Sequence, residues 1–238
     1  MEECLSEIEN FIADGGKHYV VPVNTDVIIK IEQNEYLRKI VDGADLVLVD
    51  GKPLIWIAKK HKIPVTVKIS GSDLVPLLCE RAAKKNFSIF ILGGKEGVAE
   101  KAKENLEKKY EGIKIVGTYC PPIGFEKANV LVNKINEIIN TVCPDILLTC
   151  LGCPKQEKFI YENIEKYNAK VSICCGATVD FLAGNVKRAP KWMSNCGLEW
   201  LYRFFREPKR LFRRYFVDDM KIFKLSKKYK PKKNKKDN

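Results

Sequence analysis

The stretch Asp145–Glu157, DILLTCLGCPKQE, limits the possible folds of this chain more than any other. Its apolar run from Ile146 to Leu151 has no alternating polar positions, so a strand formed there is buried on both faces, as inside a parallel sheet. The run breaks at Gly152 and Pro154, and a helical pattern continues from Lys155 to about Tyr167. The same succession of apolar run, turn residues and helical pattern recurs along the chain. It predicts strands at His18–Val23, Asp45–Val49, Ser88–Leu92, Ile113–Thr118 and Val171–Cys175.

Helices are expected between the strands. Met1–Ala13 reads as a short amphipathic helix. Asn24 or Thr25 caps a helix running to about Val41. Pro53–Lys60 resumes helix, with Pro53 near a first-turn position. Val65–Ile69 is apolar and β-branched, and Ser72 or Asp73 caps a helix through Lys85. Two more helices run to about Tyr110 and from about Glu126 to Ile139. Strand and helix alternate over short connections, which gives an α/β fold with a mostly parallel, Rossmann-like sheet flanked by helices. After Gly184 the texture changes to tryptophans, arginines and an amphipathic series. The expected organisation is a catalytic α/β domain over 1–190 and a basic helical C-terminal appendage over 191–238.

Charge sharpens that division. The chain carries a net charge of +12, of which +11 lies from Arg203 onward, so the basic character belongs to the tail. Within the appendage, Trp200, Leu201, Phe204, Phe205, Leu211, Phe212, Tyr215 and Phe216 fall near helical spacing with arginines interleaved. Pro208 breaks the run into two helices. That composition suits an anionic membrane surface, and Lys221–Lys236 reads as a polybasic tail. No segment approaches the roughly 20 apolar residues that span a bilayer. The nine cysteines are irregularly spaced and read as small buried hydrophobes. Cys150 and Cys153 form a CxxC, but no second pair or nearby His completes a metal site.

In doubly wound sheets, ligands sit at the carboxyl ends of the strands. Asp50, Asp73, Glu157 and Asp180 all fall at that edge. With only two histidines in the chain, proton abstraction would rest on a carboxylate. Asp50 comes directly off an apolar strand and precedes Gly51; the alternative for it is an ordinary Asp-Gly turn. For Asp73 the alternative is a helix cap. Gly93, Gly94 and Lys95 follow a strand and precede a helix, so they offer backbone N–H groups and a cation to an anion. Lys155, Gln156 and Glu157 add a cation, an amide and a carboxylate. No DxD sequence occurs, so no metal site and no cofactor are expected.

In order and spacing, ADLVLVDGKPL, SGSDL, FILGGKEGVAE, VGTYCPP, PDILLTCLGCPKQE, GATVDFLAGNVKRAPKW and GLEWLYRFFREPKRLFRRY resemble the WecG/TagA/CpsF family of bacterial glycosyltransferases from about Asn24 to Met220. The resemblance implies an inverting, metal-independent hexosyl or N-acetylhexosaminyl transferase. It would move a sugar from a UDP-sugar, in the first instance UDP-N-acetylmannosamine, onto a polyprenyl-diphosphate-linked acceptor sugar. The setting would be teichoic acid or surface polysaccharide synthesis, with the enzyme peripheral on the cytoplasmic face of the membrane. It implies Asp50 as the base and Gln156 as an active-site residue. Asn24, Asp73, Gly93, Gly94, Lys95, Lys155 and Glu157 are then expected to bind substrate, and Arg203, Arg210 and Arg213 to hold diphosphate. Pro22 stands where members acting on N-acetylmannosamine often have Thr, which keeps a capsule or exopolysaccharide hexosyl- or uronosyltransferase in view. A nucleotide-cofactor oxidoreductase is disfavoured by the missing GxGxxG. A basic nucleic-acid-binding protein is the remaining alternative, although no nucleic acid partner is expected. Homo-oligomerisation is left open by the sequence.

Overall fold

The computed structural model describes residues 1–65, 67–190, 193 and 198–229, with Arg210 described by its backbone alone. The expected tail beyond Tyr229 and most of 191–197 lie outside these residues. Six strands, β1 (His18–Val23), β2 (Leu46–Val49), β3 (Ser88–Gly93), β4 (Lys114–Tyr119), β5 (Ile146–Cys150) and β6 (Val171–Cys174), form one sheet in the order β2-β1-β6-β5-β3-β4. Every pairing is parallel. The fold class is α/β, as the alternation of runs requires.

Helices α1 (Glu2–Ala13), α5 (Gly71–Lys85) and α6 (Val98–Lys109) cover one face. α2 (Thr25–Gln33), α3 (Glu35–Asp42), α7 (Asn129–Val142) and α8 (Lys155–Asn163) cover the other. Successive strand residues serve opposite cores: Ile89 and Ile91 face the first, Phe90 and Leu92 the second. Burial on both faces is why the central strands read as unbroken apolar runs.

Several boundaries differ from the sequence reading: the helix from Lys155 ends at Asn163 rather than near Tyr167, the one expected from about Glu126 to Ile139 spans Asn129–Val142, and two further differences lie at helix caps. The helix expected from Asn24 to Val41 is interrupted at Asn34, whose side chain accepts from Leu37 N and caps α3, as Asn24 caps α2 through Val27 N. α5 is capped by Ser70, ahead of both expected residues, because Ser70 Oγ accepts from Asp73 N while donating to Asp73 Oδ2 at 2.6 Å. After the short α9 (Thr178–Leu182), the C-terminal region forms α10 (Glu199–Arg206), α11 (Pro208–Arg213), a π-turn over Arg214–Asp218 and α12 (Lys221–Lys228). The start of the expected polybasic tail is thus helical. Ile222 buries inward, and Lys228 Nζ and Tyr229 OH reach Glu32 at 2.5 and 2.8 Å.

At the amino edge of the sheet, aspartates preceding strands tie neighbouring strands together. Asp145 Oδ2 accepts from Ser88 N, and Asp45 Oδ2 accepts from Tyr19 N. Asp45 also holds His18 Nδ1 at 2.9 Å, Asp14 holds His18 Nε2, and Phe11 stacks on the ring. Burial alone would lower the His18 pKa, but hydrogen bonds to Asp45 and Asp14 outweigh it and raise it. A group whose folded pKa is raised contributes stability fully present below its unfolded value and lost as pH rises through the folded one. The melting-temperature gap between wild type and His18→Gln should therefore be widest near pH 6 and narrow towards pH 9. A gap that stays constant across that range would show that the imidazolium contributes nothing.

Candidate functional site

The strand order reverses around β1. The chain runs outward from β1 to β2, then crosses over to build β3, β4, β5 and β6 on the other side. Loops at the carboxyl ends of β2, β1, β6 and β5 consequently diverge and leave a crevice, where a doubly wound sheet binds ligands. The crevice has two lobes of about 360 and 310 Å³ that share Asn24, Asp50, Ser72, Arg203 and Arg214.

Asp50 lies on its floor. Its N–H donates to Val23 O, fixing it at the end of β2, and Gly51 takes φ +136, a turn open to glycine, to start α4 (Lys52–Lys60). Burial pushes the Asp50 carboxyl up to about 6; Lys68 opposes that, Glu199 and Asp73 add to it, and Arg203 opposes it. Lys68 arrives because Ile69 N donates to Val49 O, which lays this segment along β2. Lys68 Nζ lies 2.8 Å from Asp73 Oδ2 and 3.8 Å from Glu199 Oε2. Asp73 itself borders neither lobe. Burial would raise its pKa, but Arg188, Lys68 and Ser70 hold the carboxyl well below the usual range, so it is a poor proton acceptor.

Gln156 is buried in the first turn of α8 and borders the second lobe. Its Oε1 accepts from Gly176 N at 3.0 Å and its Nε2 donates to Glu157 Oε1 at 2.9 Å. Glu157 is fully buried beneath it, with Oε2 unpartnered among the described residues. Burial pushes the Glu157 carboxyl up against hydrogen bonds from Gln156 and Cys153. Truncation at Gln156 would orphan both a backbone N–H and this carboxyl. Gln156→Ala is therefore expected to cost about 1–3 kcal/mol of stability, the usual penalty for buried polar groups left unmade. Chemical denaturation would show this as a lowered midpoint, and an unchanged midpoint would mean that the amide ties nothing together.

Of the residues singled out in the sequence, Asn24, Asp50, Gln156 and Arg203 meet around the crevice. Others stand apart from it. A Cβ on Gly93 would meet Cys150 O at 2.6 Å, and Gly94 N already donates to that oxygen, so this pair lets β3 and β5 approach closely. Lys95 is exposed. Lys155 pairs with Glu126 at 2.8 Å. Arg213 is 86% exposed and points toward Asp218; the Arg210 side chain lies outside the described residues.

Arg214, not singled out by the sequence reading, borders both lobes instead of Arg213. Past the break at Glu207, the arginine that lines the crevice together with Arg203 is eleven residues on, at Arg214, and not ten. Arg214 Nε and Asp219 Oδ1 are buried without hydrogen-bond partners among the described residues, and Arg214 Nε sits 4.0 Å from Asp219 Oδ2. Burial raises Asp219 to about 6, with Arg214 opposing. Lys68 was also missed, although a lone cation in the β-branched run VTVKIS is a readable signal. Arg203 packs over the Phe181 ring at 5.6 Å. Trp56, Trp200, Phe216, Met220 and Phe223 line the outer part of the first lobe.

The sequence matches the family model described as glycosyl transferase WecG/TagA/CpsF family over residues 1–236. A relative in Bacillus spizizenii is 29% identical over 207 residues, covering 87% of this chain and 78% of that protein. Another, in Bacillus subtilis (strain 168), is 30% identical over 213 residues, covering 86% of this chain and 81% of its own length. Both carry the name N-acetylglucosaminyldiphosphoundecaprenol N-acetyl-beta-D-mannosaminyltransferase.

Proposed function

This chain belongs to the WecG/TagA/CpsF family of glycosyltransferases, and from that premise we propose that it transfers N-acetylmannosamine from its UDP-sugar onto polyprenyl-diphosphate-linked N-acetylglucosamine. The observation that carries the reading is the carboxylate of Asp50 lining a crevice that also holds Lys68, Arg203 and Arg214, with burial raising that carboxyl.

In a single displacement, the acceptor hydroxyl loses its proton to Asp50 as its oxygen bonds the anomeric carbon. The bond from that carbon to the diphosphate breaks on the opposite face, and its electron pair leaves with UDP, which inverts the centre. A base poised near the working pH suits this task. Arg203, Arg214 and Lys68 supply positive charge for the diphosphate groups, so the proposal requires no metal. A phosphate oxygen at Arg214 would satisfy its buried Nε, a donor whose isolation otherwise costs about 1–3 kcal/mol. Asn24 and Gln156 would orient the sugars.

Among the described residues no helix is long and apolar enough to cross a membrane. Reaching a lipid-linked acceptor would fall to the exposed Phe205, Phe212, Phe216 and Val217 of the appendage and its basic residues. The appendage, here 191–238, would act as the membrane-associating part and 1–190 as the catalytic part, at the inner face of the cell membrane.

A second reading stays within the family. Pro22 borders the second lobe with no side-chain hydroxyl to offer a sugar, which favours another hexosyl or uronosyl donor in capsule or exopolysaccharide assembly. A screen of UDP-sugars against a short-chain lipid-diphosphate acceptor separates the two.

Asp50→Asn should lower turnover by about 10²–10⁴, the usual worth of a positioned base. Because the folded pKa lies above the ordinary carboxylate value, the ionised group costs stability as pH rises through that interval. The inactive variant should thus melt no lower than wild type at pH 7.5; turnover within threefold of wild type would remove Asp50 from the role. In wild type, kcat/KM should fall as pH drops below about 6, and Lys68→Met should move that limb upward, since the lysine favours the ionised form. A limb that does not move would locate the titration elsewhere. Activity should survive EDTA. Collapse on chelation, with recovery on adding manganese or magnesium, would overturn the assignment of the leaving-group charge to Lys68, Arg203 and Arg214.

A further inference from the structure

The near-neutral balance of the body conceals a local excess of positive charge. Between Gly51 and Ser72 the sequence holds Lys52, Lys59, Lys60, Lys62 and Lys68 and no Asp or Glu. Lys52 and Lys68 border the crevice. Lys59, Lys60 and Lys62 stand exposed at the end of α4 and in the turn after it, with no ion pair among the described residues. Trp56 lies three and four residues before Lys59 and Lys60, so it shares their helix face, and it is 58% exposed. Ile63 and Val67 follow, at 47% and 57% exposed. A tryptophan and aliphatic side chains left in solvent among unpaired lysines match the water–lipid interface, where apolar groups enter the acyl boundary and cations meet headgroups.

The C-terminal helix supplies a matching half. Met220 and Phe223 are each 53% exposed, and Lys224 and Lys227 project beside them while Ile222 turns inward. The halves are joined by the hydrogen bond between His61 Nε2 and Ser226 Oγ at 2.8 Å. Trp56 and Phe223 border the same lobe of the crevice.

We propose that residues 56–65 and Val67 of the body and α12 form one docking face for an anionic bilayer surface, so that the crevice opens at the headgroup plane. The proposal rests on the reading of the acceptor as lipid-linked, but it extends the membrane contact from the appendage to the catalytic body. Charge complementarity selects an anionic occupant. The apolar side chains interleaved with the lysines select a bilayer rather than a nucleic acid backbone, which would leave them in water.

The test is co-sedimentation of the full chain with vesicles of phosphatidylcholine alone or mixed with phosphatidylglycerol, at low and high salt. Lys59→Glu/Lys60→Glu/Lys62→Glu is compared with Lys224→Glu/Lys227→Glu. At up to about 1 kcal/mol per basic residue near the surface, the triple reversal should weaken binding to the anionic vesicles by about tenfold or more. The difference should shrink at high salt. Transfer to a short soluble acceptor should be unchanged, because none of the three lysines borders the crevice. If the triple variant is thermally destabilised, Ile63→Ser and Lys60→Glu alone carry the same comparison. Wild-type binding by the triple variant, with loss in the α12 variant, would overturn the body's part while leaving the appendage's membrane contact standing. A wild-type chain that ignores anionic vesicles would overturn both. Stronger binding to a single-stranded oligonucleotide than to vesicles would reassign the face to nucleic acid and overturn the proposal.

Discussion

Burial of the sheet on both faces is the constraint from which the rest of this molecule follows. With Ile146–Cys150 and Val171–Cys174 covered by helices above and below, no polar chemistry can be carried along the strands themselves. It is displaced to their ends. The amino edge uses its polar groups for stability, with Asp45 and Asp145 accepting the N–H groups that open neighbouring strands. The carboxyl edge gathers Asn24, Asp50, Ser70, Gln156 and Gly176 where loops diverge, and is left open.

That open edge holds unfavourable electrostatics in place. Asp50 carries a carboxyl raised to about 6 by burial, and Asp219 another raised to about 6 by the same cause. Arg214 Nε and Glu157 Oε2 lack hydrogen-bond partners among the described residues. Each feature costs stability in the free protein. Under the proposed reading, a glycosyltransferase gains from those that border the crevice if the substrate brings the missing partners. A diphosphate answers the Arg214 Nε left without a hydrogen bond, and an acceptor hydroxyl answers a base kept close to neutral pH. Charges held this way need little reorganisation when charge shifts during transfer.

The C-terminal helices change meaning when packed. As sequence they are an amphipathic, arginine-rich strip. In the fold, Leu211 and Ile222 turn inward, Arg203 and Arg214 complete the crevice, and a rim of aromatic side chains stays in solvent. The segment at 56–65 meets that rim through His61 and Ser226. The crevice mouth and the exposed aromatic surface therefore coincide, which suits an enzyme whose acceptor is proposed to be held in a lipid sheet.

By itself the sequence determined the α/β class, the strand positions, the family and the placing of Asp50 at the end of β2. These depend on local patterns: runs buried on both faces, breaks at Gly and Pro, and a carboxylate directly off a strand. It also showed the break at Pro208 and the concentration of charge in the tail. Only the tertiary structure decided which cations join Asp50. Lys68 is delivered by one backbone hydrogen bond to β2, and Arg214 rather than Arg213 lines the crevice past the helix break at Glu207. It also separated Gly93 and Gly94, which serve strand packing, from the residues bordering the crevice. The physical reason is range: a strand or cap is written in residues a few positions apart, whereas a crevice is made by side chains brought together from the far ends of different strands.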